Sequence, residues 1–179
     1  MGDQQDSGDP GKIASPFWRF SLRIYGAPGV PAACLTLQDA SGVDVNVLLF
    51  SLFAASQGRQ ISAAAVAEIV AAIEPWRLNA VVPLRGVRRF LKDTPAGFEA
   101  QDIPAIRQHV KMMELEAERL QQEVLYASWP MEALGDPSPA AEAARANVEA
   151  YASALRAKFD SSAVETLLGA FVNLGESSK

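Results

Sequence analysis

The chain has 179 residues, of which 49% are apolar and 21% are charged, so its size suits one folded domain and its composition excludes a wholly disordered protein. The formal net charge of -5 and an isoelectric point near 4.9 argue against strong overall attraction to nucleic acid or to an anionic membrane. Alanine is abundant and no stretch alternates apolar with polar residues, so we predict an all-α fold without strands. We expect a compact bundle of about seven or eight helices with a long helix in the C-terminal half.

The segment 1–14 is rich in Gly, Asp and Gln, which predicts a disordered tail ahead of a single helical domain over residues 15–175. This tail lacks the basic and apolar parts of a signal segment, and no apolar run is long enough to span a membrane. Cys34 is the only cysteine, so no disulfide can form within the chain, and its apolar neighbours favour a buried thiol. We therefore expect a cytoplasmic protein.

Three helices are predicted in the first third of the chain. The first begins with Ser15 as N-cap and ends at Gly26, and the second covers about 31–42. The third runs from the N-cap Asp44 to about residue 57. It is apolar on nearly all sides, which predicts a place at the centre of the bundle.

Two prolines shape the next helical stretches. A fourth helix is predicted from Ser62 to near Glu74, because Pro75 disfavours helical geometry at the residue before it. A fifth stretch over 76–92 should be kinked or broken at Pro83, whose nitrogen cannot donate a hydrogen bond.

Asp102 with Pro104 opens the longest predicted helix, which reaches about residue 127. Its apolar residues repeat in alternating steps of four and three, which defines a heptad-like seam. The seam consists of Ile106, Val110, Met113, Ala117, Leu120 and Val124. This spacing leaves two arrangements open: the helix folds back on the N-terminal half, or it pairs with a second copy of the chain. Further helices are predicted over 139–159 and 161–175.

The fifth stretch carries a basic run without any acid between Trp76 and Lys92. The basic residues are Arg77, Arg85, Arg88, Arg89 and Lys92. The last four fall within an arc of roughly 100° on a helix, which predicts a cationic outer face. The residues on the opposite, apolar side are Leu84, Val87, Phe90 and Leu91. One interpretation is a solvated or ion-paired face; the other is a binding site for a phosphate group, a nucleic-acid backbone or an acidic partner.

Four polar residues surround the glycine turn at Gly42 between two apolar helices. They are Gln38, Asp39, Asp44 and Asn46. Helix capping explains Asp44 but leaves Asp39 and Asn46 without a role. The alternative is a polar site in which Asp39 or Asp44 meets the arginine face in a buried ion pair.

Signatures of catalysis are missing from the sequence: there is no Cys/His cluster, no glycine-rich phosphate loop and no Gly-x-Ser-x-Gly motif. Asp39 and Asp44 are separated by Gly42 and cannot share a helix face, as the paired metal-binding aspartates of helical isoprenoid synthases do. His109 lies in a charged stretch and is interpreted as a surface residue. We therefore predict no catalytic residue, no metal and no cofactor.

Two blocks of the sequence carry motifs. They read Gln38-Asp39 … Gly42-x-Asp44-x-Asn46 and Pro83-Leu84-Arg85-x-x-Arg88-Arg89. Together with the apolar residues around them they resemble a family of uncharacterised bacterial proteins, mostly proteobacterial, known as a domain of unknown function. The resemblance covers about the first two-thirds of the chain, with a core over 15–93, and leaves 102–175 as the long helix plus the C-terminal helices. It implies a bacterial cytosolic protein and no particular activity.

Three hypotheses of function follow. The first is a non-catalytic protein-interaction or regulatory module, which contacts a protein partner or a second copy through the cationic face or the seam. The second is a site, catalytic or not, for a small phosphate-type anion, and the third is nucleic-acid backbone binding, which the net charge disfavours. No membrane partner is expected. The candidate binding residues are Gln38, Asp39, Asp44, Asn46, Arg85, Arg88, Arg89 and Lys92.

Overall fold

The computed structural model describes residues 14–176, so the tail predicted over 1–14 lies, except for its last residue, outside the described residues. The helices are α1 (Pro16–Tyr25), α2 (Val30–Ser41), α3 (Val45–Ser56), α4 (Ala63–Trp76), α5 (Val82–Phe90), α6 (Ile103–Ser128), α7 (Ala140–Ala154) and α8 (Ser161–Glu176). The all-α class and the long helix are confirmed. The expectation of no strand is wrong in one place, where β1 (Arg59–Gln60) pairs antiparallel with β2 (Asp136–Pro137).

Side-chain caps fix the first and third helices where the sequence predicted them. The Ser15 hydroxyl accepts a hydrogen bond from the Trp18 N–H at 3.1 Å, and the Asp44 carboxylate accepts one from the Asn46 N–H at 2.8 Å. Gly42 ends α2 with a φ of 68°, a left-handed conformation that glycine adopts without steric cost. The short connection between α2 and α3 therefore has a defined geometry.

α3 forms the centre of the bundle, as predicted, with every residue from Asn46 to Ala55 buried. Phe17 of α1 packs its ring against Phe50 and Phe53 of α3, with ring centroids 5.2 Å and 5.3 Å apart. On the other side of α3 lies α7. A central helix enclosed in this way gives the surrounding helices a fixed platform.

Asn147 of α7 ties three segments together and has no exposed surface. Its amide donates to the carbonyls of Ser51 and Arg59 at 2.9 Å and 3.0 Å, and its oxygen accepts from the Ile61 N–H at 2.8 Å. One side chain thus joins the middle of α3 to the backbone of Arg59 and Ile61, and it gives the Ile61 N–H a partner.

The helix predicted to end near Glu74 instead continues through Pro75 to Trp76. It passes into a π-helical turn, Arg77–Val81, and resumes as α5. The wider turn shifts the hydrogen-bond register just before Pro83, which has no N–H to donate to the preceding turn. The kink predicted at Pro83 is therefore accommodated as a π turn.

The predicted cationic outer face of α5 is wrong for Arg85 and Arg88, which turn toward α6, whereas Arg89 and Lys92 are exposed as predicted. Phe90, expected to face the core, is 67% exposed, whereas the side chain of Arg85 is 18% exposed. The reason is that α5 packs against α6, which meets the arginines with Glu114 and Glu118. Ion pairing thus decides which side of this short amphipathic helix faces inward.

α6 folds back on the N-terminal half, since it contacts α1, α3, α4 and α5. Its buried face carries Glu114, Gln121 and Leu125, while Ile106 and Met113 of the predicted seam are exposed. Leu120 and Val124 of the seam are exposed as well, and Ala117 alone among its members is buried. Across the described helices, none has the length and apolar character required to cross a membrane.

Candidate ligand-binding cavity

A cavity of about 360 Å³ lies among α1, α2, α5 and α6, above the start of α3. This volume falls within the roughly 300–1,000 Å³ typical of small-molecule sites. Its apolar walls are formed by Trp18, Leu22, Tyr25, Cys34, Leu35, Val45, Leu49 and Leu115. Its polar lining consists of Ser21, Gln38, Asn46, Arg85, Arg88, Arg89, Lys111, Glu114, Glu118 and Gln122.

Glu114 connects two arginines at one wall of the cavity. Its carboxylate accepts from the Arg85 Nε at 3.0 Å and from both Nε and Nη2 of Arg88, the latter at 3.2 Å. The Glu114 side chain is only 7% exposed, so this network is largely removed from water. Arg85 also donates to Glu118 at 2.7 Å and to the side-chain oxygen of Gln38. All three nitrogen atoms of its guanidinium are therefore engaged.

The two glutamates respond to this setting in opposite ways. Burial alone would raise the pKa of Glu114, but hydrogen bonds from Arg88 and Arg85 outweigh it and hold that pKa below its ordinary value. Burial raises the pKa of Glu118 despite the nearby Arg85. The folded protein thus stabilises the ionised form of Glu114, whereas burial destabilises the ionised form of Glu118.

Arg89 and Lys111 supply positive charge near the solvent. Arg89 reaches Asp39 at 3.3 Å, and both side chains are more than half exposed. The hydrogen bond from Arg89 lowers the pKa of Asp39. Lys111 is exposed and makes no ion pair with any residue between 14 and 176. These two cations can approach a ligand at little cost to the fold.

A chain of side-chain amides runs behind the cavity. Gln121 donates to Asp44 at 2.7 Å, Asn46 donates to the Gln121 oxygen at 3.1 Å, and Gln122 donates to the Asn46 oxygen at 2.8 Å. The backbone N–H of Asp44 in turn donates to the Tyr151 hydroxyl at 2.9 Å. Asp44 and Asn46 therefore join α6 to the start of α3.

Two buried oxygens in the cavity lining have no hydrogen-bond partner among the described residues. They are Oγ of Ser21 and Oε1 of Gln122. Both side chains line the cavity, and Gln122 is 3% exposed. Buried polar atoms without partners are uncommon in folded proteins, so two in one cavity lining call for an explanation.

Five of the eight residues predicted from the sequence line the cavity. These are Gln38, Asn46, Arg85, Arg88 and Arg89. Asp39 lies beside the cavity and forms an ion pair with Arg89. Lys92 is exposed and does not line the cavity. Asp44 caps α3 and lies 3.8 Å from Arg77 instead of meeting the predicted arginine face.

Sequence reasoning missed the contribution of α6 to the cavity. Neither Glu114 nor Glu118 is among the binding residues predicted from the sequence, although Glu114 lies one turn before Ala117 and Glu118 and on the same side as buried Gln121 and Leu125. The sequence did contain a signal: Glu114 is a charged residue spaced one and two turns from residues that face the core. Such a residue indicates a buried polar network when a basic helix lies nearby.

Reactive groups are scarce around the cavity. Burial raises the pKa of the Cys34 thiol to about 12, so this side chain stays protonated at neutral pH and is a poor nucleophile. His109 is exposed, as predicted. Between residues 14 and 176, no three His, Cys, Asp or Glu side chains are grouped so that they could hold a metal ion. The arrangement is suited to binding by charge, shape and hydrogen bonds.

Comparison with known families identifies a family to which this chain is similar. Residues 16–125 match a family model described as "Protein of unknown function (DUF2390)". No curated protein and no solved structure matches the chain. The matched region extends beyond the 15–93 core of the resemblance into α6, and it contains every residue that lines the cavity.

Proposed function

The chain belongs to the DUF2390 family, whose function is unknown, and we propose that it is a cytoplasmic, non-catalytic module that binds a small organic anion in the cavity. The observation that carries this proposal is the mixed lining. Apolar side chains form most of the walls, and four cationic side chains face only two anionic ones. Such a lining favours a ligand with an apolar body and a negatively charged group.

The cations differ in how free they are to bind. Arg85 is fully engaged with protein partners, so it holds the wall in place. Arg89 contacts the exposed Asp39, and Lys111 makes no ion pair with the described part of the chain. An anionic group at the mouth of the cavity would therefore be recognised mainly by Arg89 and Lys111, with Arg88 behind them.

The test uses phenylpropanoate as a probe and its uncharged analogue phenylpropanamide as the ligand control. We expect calorimetric titration of the wild-type chain to show binding of the acid and at least about tenfold weaker binding of the amide, because the amide loses the charge-assisted contacts. The double variant Arg89→Ala/Lys111→Ala should weaken binding of the acid by a similar factor and leave the affinity for the amide unchanged.

A matched variant separates the cavity from general charge effects. Lys92→Ala/Arg145→Ala removes the same amount of charge from exposed residues that do not line the cavity. It should bind phenylpropanoate as the wild type does. Equal affinity for the acid and the amide, or equal loss in both double variants, would rule out an anion site here.

Self-association through α6 is a second candidate, favoured by its exposed seam. The first part of α6 carries Arg107, His109 and Lys111 and no acid, while Glu116 and Glu123 lie in the second part. An antiparallel pair of α6 helices would therefore bring opposite charges together along the exposed seam residues Ile106, Met113, Leu120 and Val124. This is the partner surface expected of an interaction module.

Sedimentation equilibrium tests that candidate. We expect a dimer at micromolar concentrations and its loss in Met113→Glu, which places a charge in the seam. Met112→Glu is the matched control, because Met112 is equally exposed but lies off the seam. A wild-type monomer at every concentration, or the same behaviour in both variants, would exclude this dimer.

Nucleic-acid binding gains no support from the geometry. Arg85 and Arg88 are turned toward Glu114 of α6, away from a position in which a row of cations could follow a phosphate backbone.

A further inference from the structure

The chain of amides behind the cavity has a fixed direction. The Asp44 carboxylate accepts hydrogen bonds from the backbone N–H of Asn46 and from the Gln121 amide. Because a carboxylate only accepts, Gln121 must present its NH₂ group to Asp44 and its oxygen to Asn46. Asn46 must then donate to Gln121, which leaves its own oxygen to accept from the NH₂ group of Gln122.

Gln122 ends this chain with its oxygen unsatisfied. Rotating the amide by half a turn would place two oxygens, those of Gln122 and Asn46, against each other and break the 2.8 Å bond. The free group of Gln122, a residue that lines the cavity, is therefore an acceptor, and it is buried without a partner among residues 14–176. The Ser21 hydroxyl, which is also buried and unpartnered, lines the same cavity.

The acceptor lies far along α6 from Lys111 and from the residue that holds Arg88, although Glu118, which holds Arg85, is only one turn before Gln122. Gln122 follows Glu114, which holds Arg88, by about two helical turns, or roughly 12 Å of helix rise. Ser15 at the start of α1 donates to Glu123, so Trp18 lies at the same end as Gln122. A ligand that touches both ends is thus on the order of 10 Å long and passes between the apolar side chains of α1 and α6.

We infer that the ligand is a hydroxylated organic acid, whose carboxylate binds the cations at the mouth and whose remote hydroxyl donates to Oε1 of Gln122. This inference rests on the proposed function and adds the chemistry of the ligand's second end. A rigid apolar body, such as a phenyl ring with its hydroxyl para to the acidic side chain, matches the required length. Binding then satisfies an acceptor that the folded protein leaves unpaired.

The experiment compares two probes that differ by one hydroxyl, para-hydroxyphenylpropanoate and phenylpropanoate. By calorimetric titration, the wild-type chain should bind the hydroxylated acid at least about fivefold more tightly. Gln122→Met should bind both acids with the affinity that the wild type shows for phenylpropanoate. Gln108→Met, an exposed glutamine of α6 outside the cavity lining, should keep the wild-type preference.

The outcomes separate this inference from the proposed function. If neither acid binds, the proposed function fails and the inference with it. If the wild type binds both acids equally, or if the preference survives in Gln122→Met, the hydrogen bond from the ligand hydroxyl to Gln122 is overturned while the anion site stands. Should Gln122→Met fail to fold, an NMR titration of the wild type replaces it. The side-chain amide resonance of Gln122 must shift when para-hydroxyphenylpropanoate is added and must stay in place when phenylpropanoate is added.

Discussion

Replacing Glu114 by Gln should lower the free energy of unfolding by about 3 kcal/mol, the scale found when one partner of a buried ion pair is removed. The variant leaves Arg85 and Arg88, which are both partly buried, facing each other across a neutral amide. For a chain of this size the loss corresponds to a fall in Tm of roughly 6–12 °C. Urea denaturation of the wild type and the variant measures it directly.

The same substitution four residues later is the matched control. Glu118→Gln also removes a carboxylate that Arg85 contacts, but burial raises the pKa of Glu118, so its charge is held at a cost. The new amide oxygen can still accept from Arg85. We expect a change below about 1 kcal/mol. Equal destabilisation by both variants would contradict the assignment of Glu114 as the centre of the network.

The pH dependence of the Glu114 effect has a defined sign. Because the folded protein holds the pKa of Glu114 below its ordinary value, the ionised group stabilises the fold above the unfolded pKa. That contribution is lost as the pH falls through the folded pKa. The difference in stability between the wild type and Glu114→Gln should therefore be full at neutral pH and shrink in acid.

Asn147→Ala should be about as damaging, with a loss of about 3 kcal/mol. It leaves the buried Ile61 N–H and the partly buried Arg59 carbonyl without their side-chain partner, and it opens a small void next to α3. The cost comes mainly from desolvated backbone groups, since a buried donor or acceptor without a partner is expensive. Thermal and urea denaturation both report it.

Asn79→Ala provides the comparison for that variant. The Asn79 side chain is exposed and donates a hydrogen bond to the Pro75 carbonyl at 2.7 Å. Its removal should cost less than about 1 kcal/mol. If Asn147→Ala were equally mild, the role of Asn147 in joining α3, β1 and α7 would have to be abandoned.

The sequence was sufficient for features set by local chemistry. Ser15 and Asp44 cap their helices because a short polar side chain at that position satisfies free N–H groups. The central position of α3 follows from its lack of a polar face. The orientation of α5 could not be predicted in this way. Whether Arg85 and Arg88 or Phe90 face inward depends on what α6 presents, and that contact joins residues far apart in the chain.

Only the part of the candidate site on α2, α3 and α5 could be predicted from the sequence, because the part on α6 depends on contacts between distant segments. Its residues on α2, α3 and α5 stood out as polar groups without a local role, and five of them line the cavity. The residues on α6 did not stand out, because Glu114 and Gln122 fit an ordinary solvated helix when the sequence is read alone. Only the packing of α6 against α1 and α5 turns them inward and leaves Oε1 of Gln122 unpartnered.

The binding of a small organic anion in this cavity is the central claim, and the three tryptophans offer the most direct test. Trp18 lines the cavity, whereas Trp76 binds the Ala117 carbonyl through its indole N–H and Trp129 packs against Phe50. In a heteronuclear NMR titration with phenylpropanoate, the indole N–H resonance of Trp18 should shift while the other two stay in place. An unmoved Trp18 resonance at saturating probe, or a larger shift at Trp76 or Trp129, would contradict the claim.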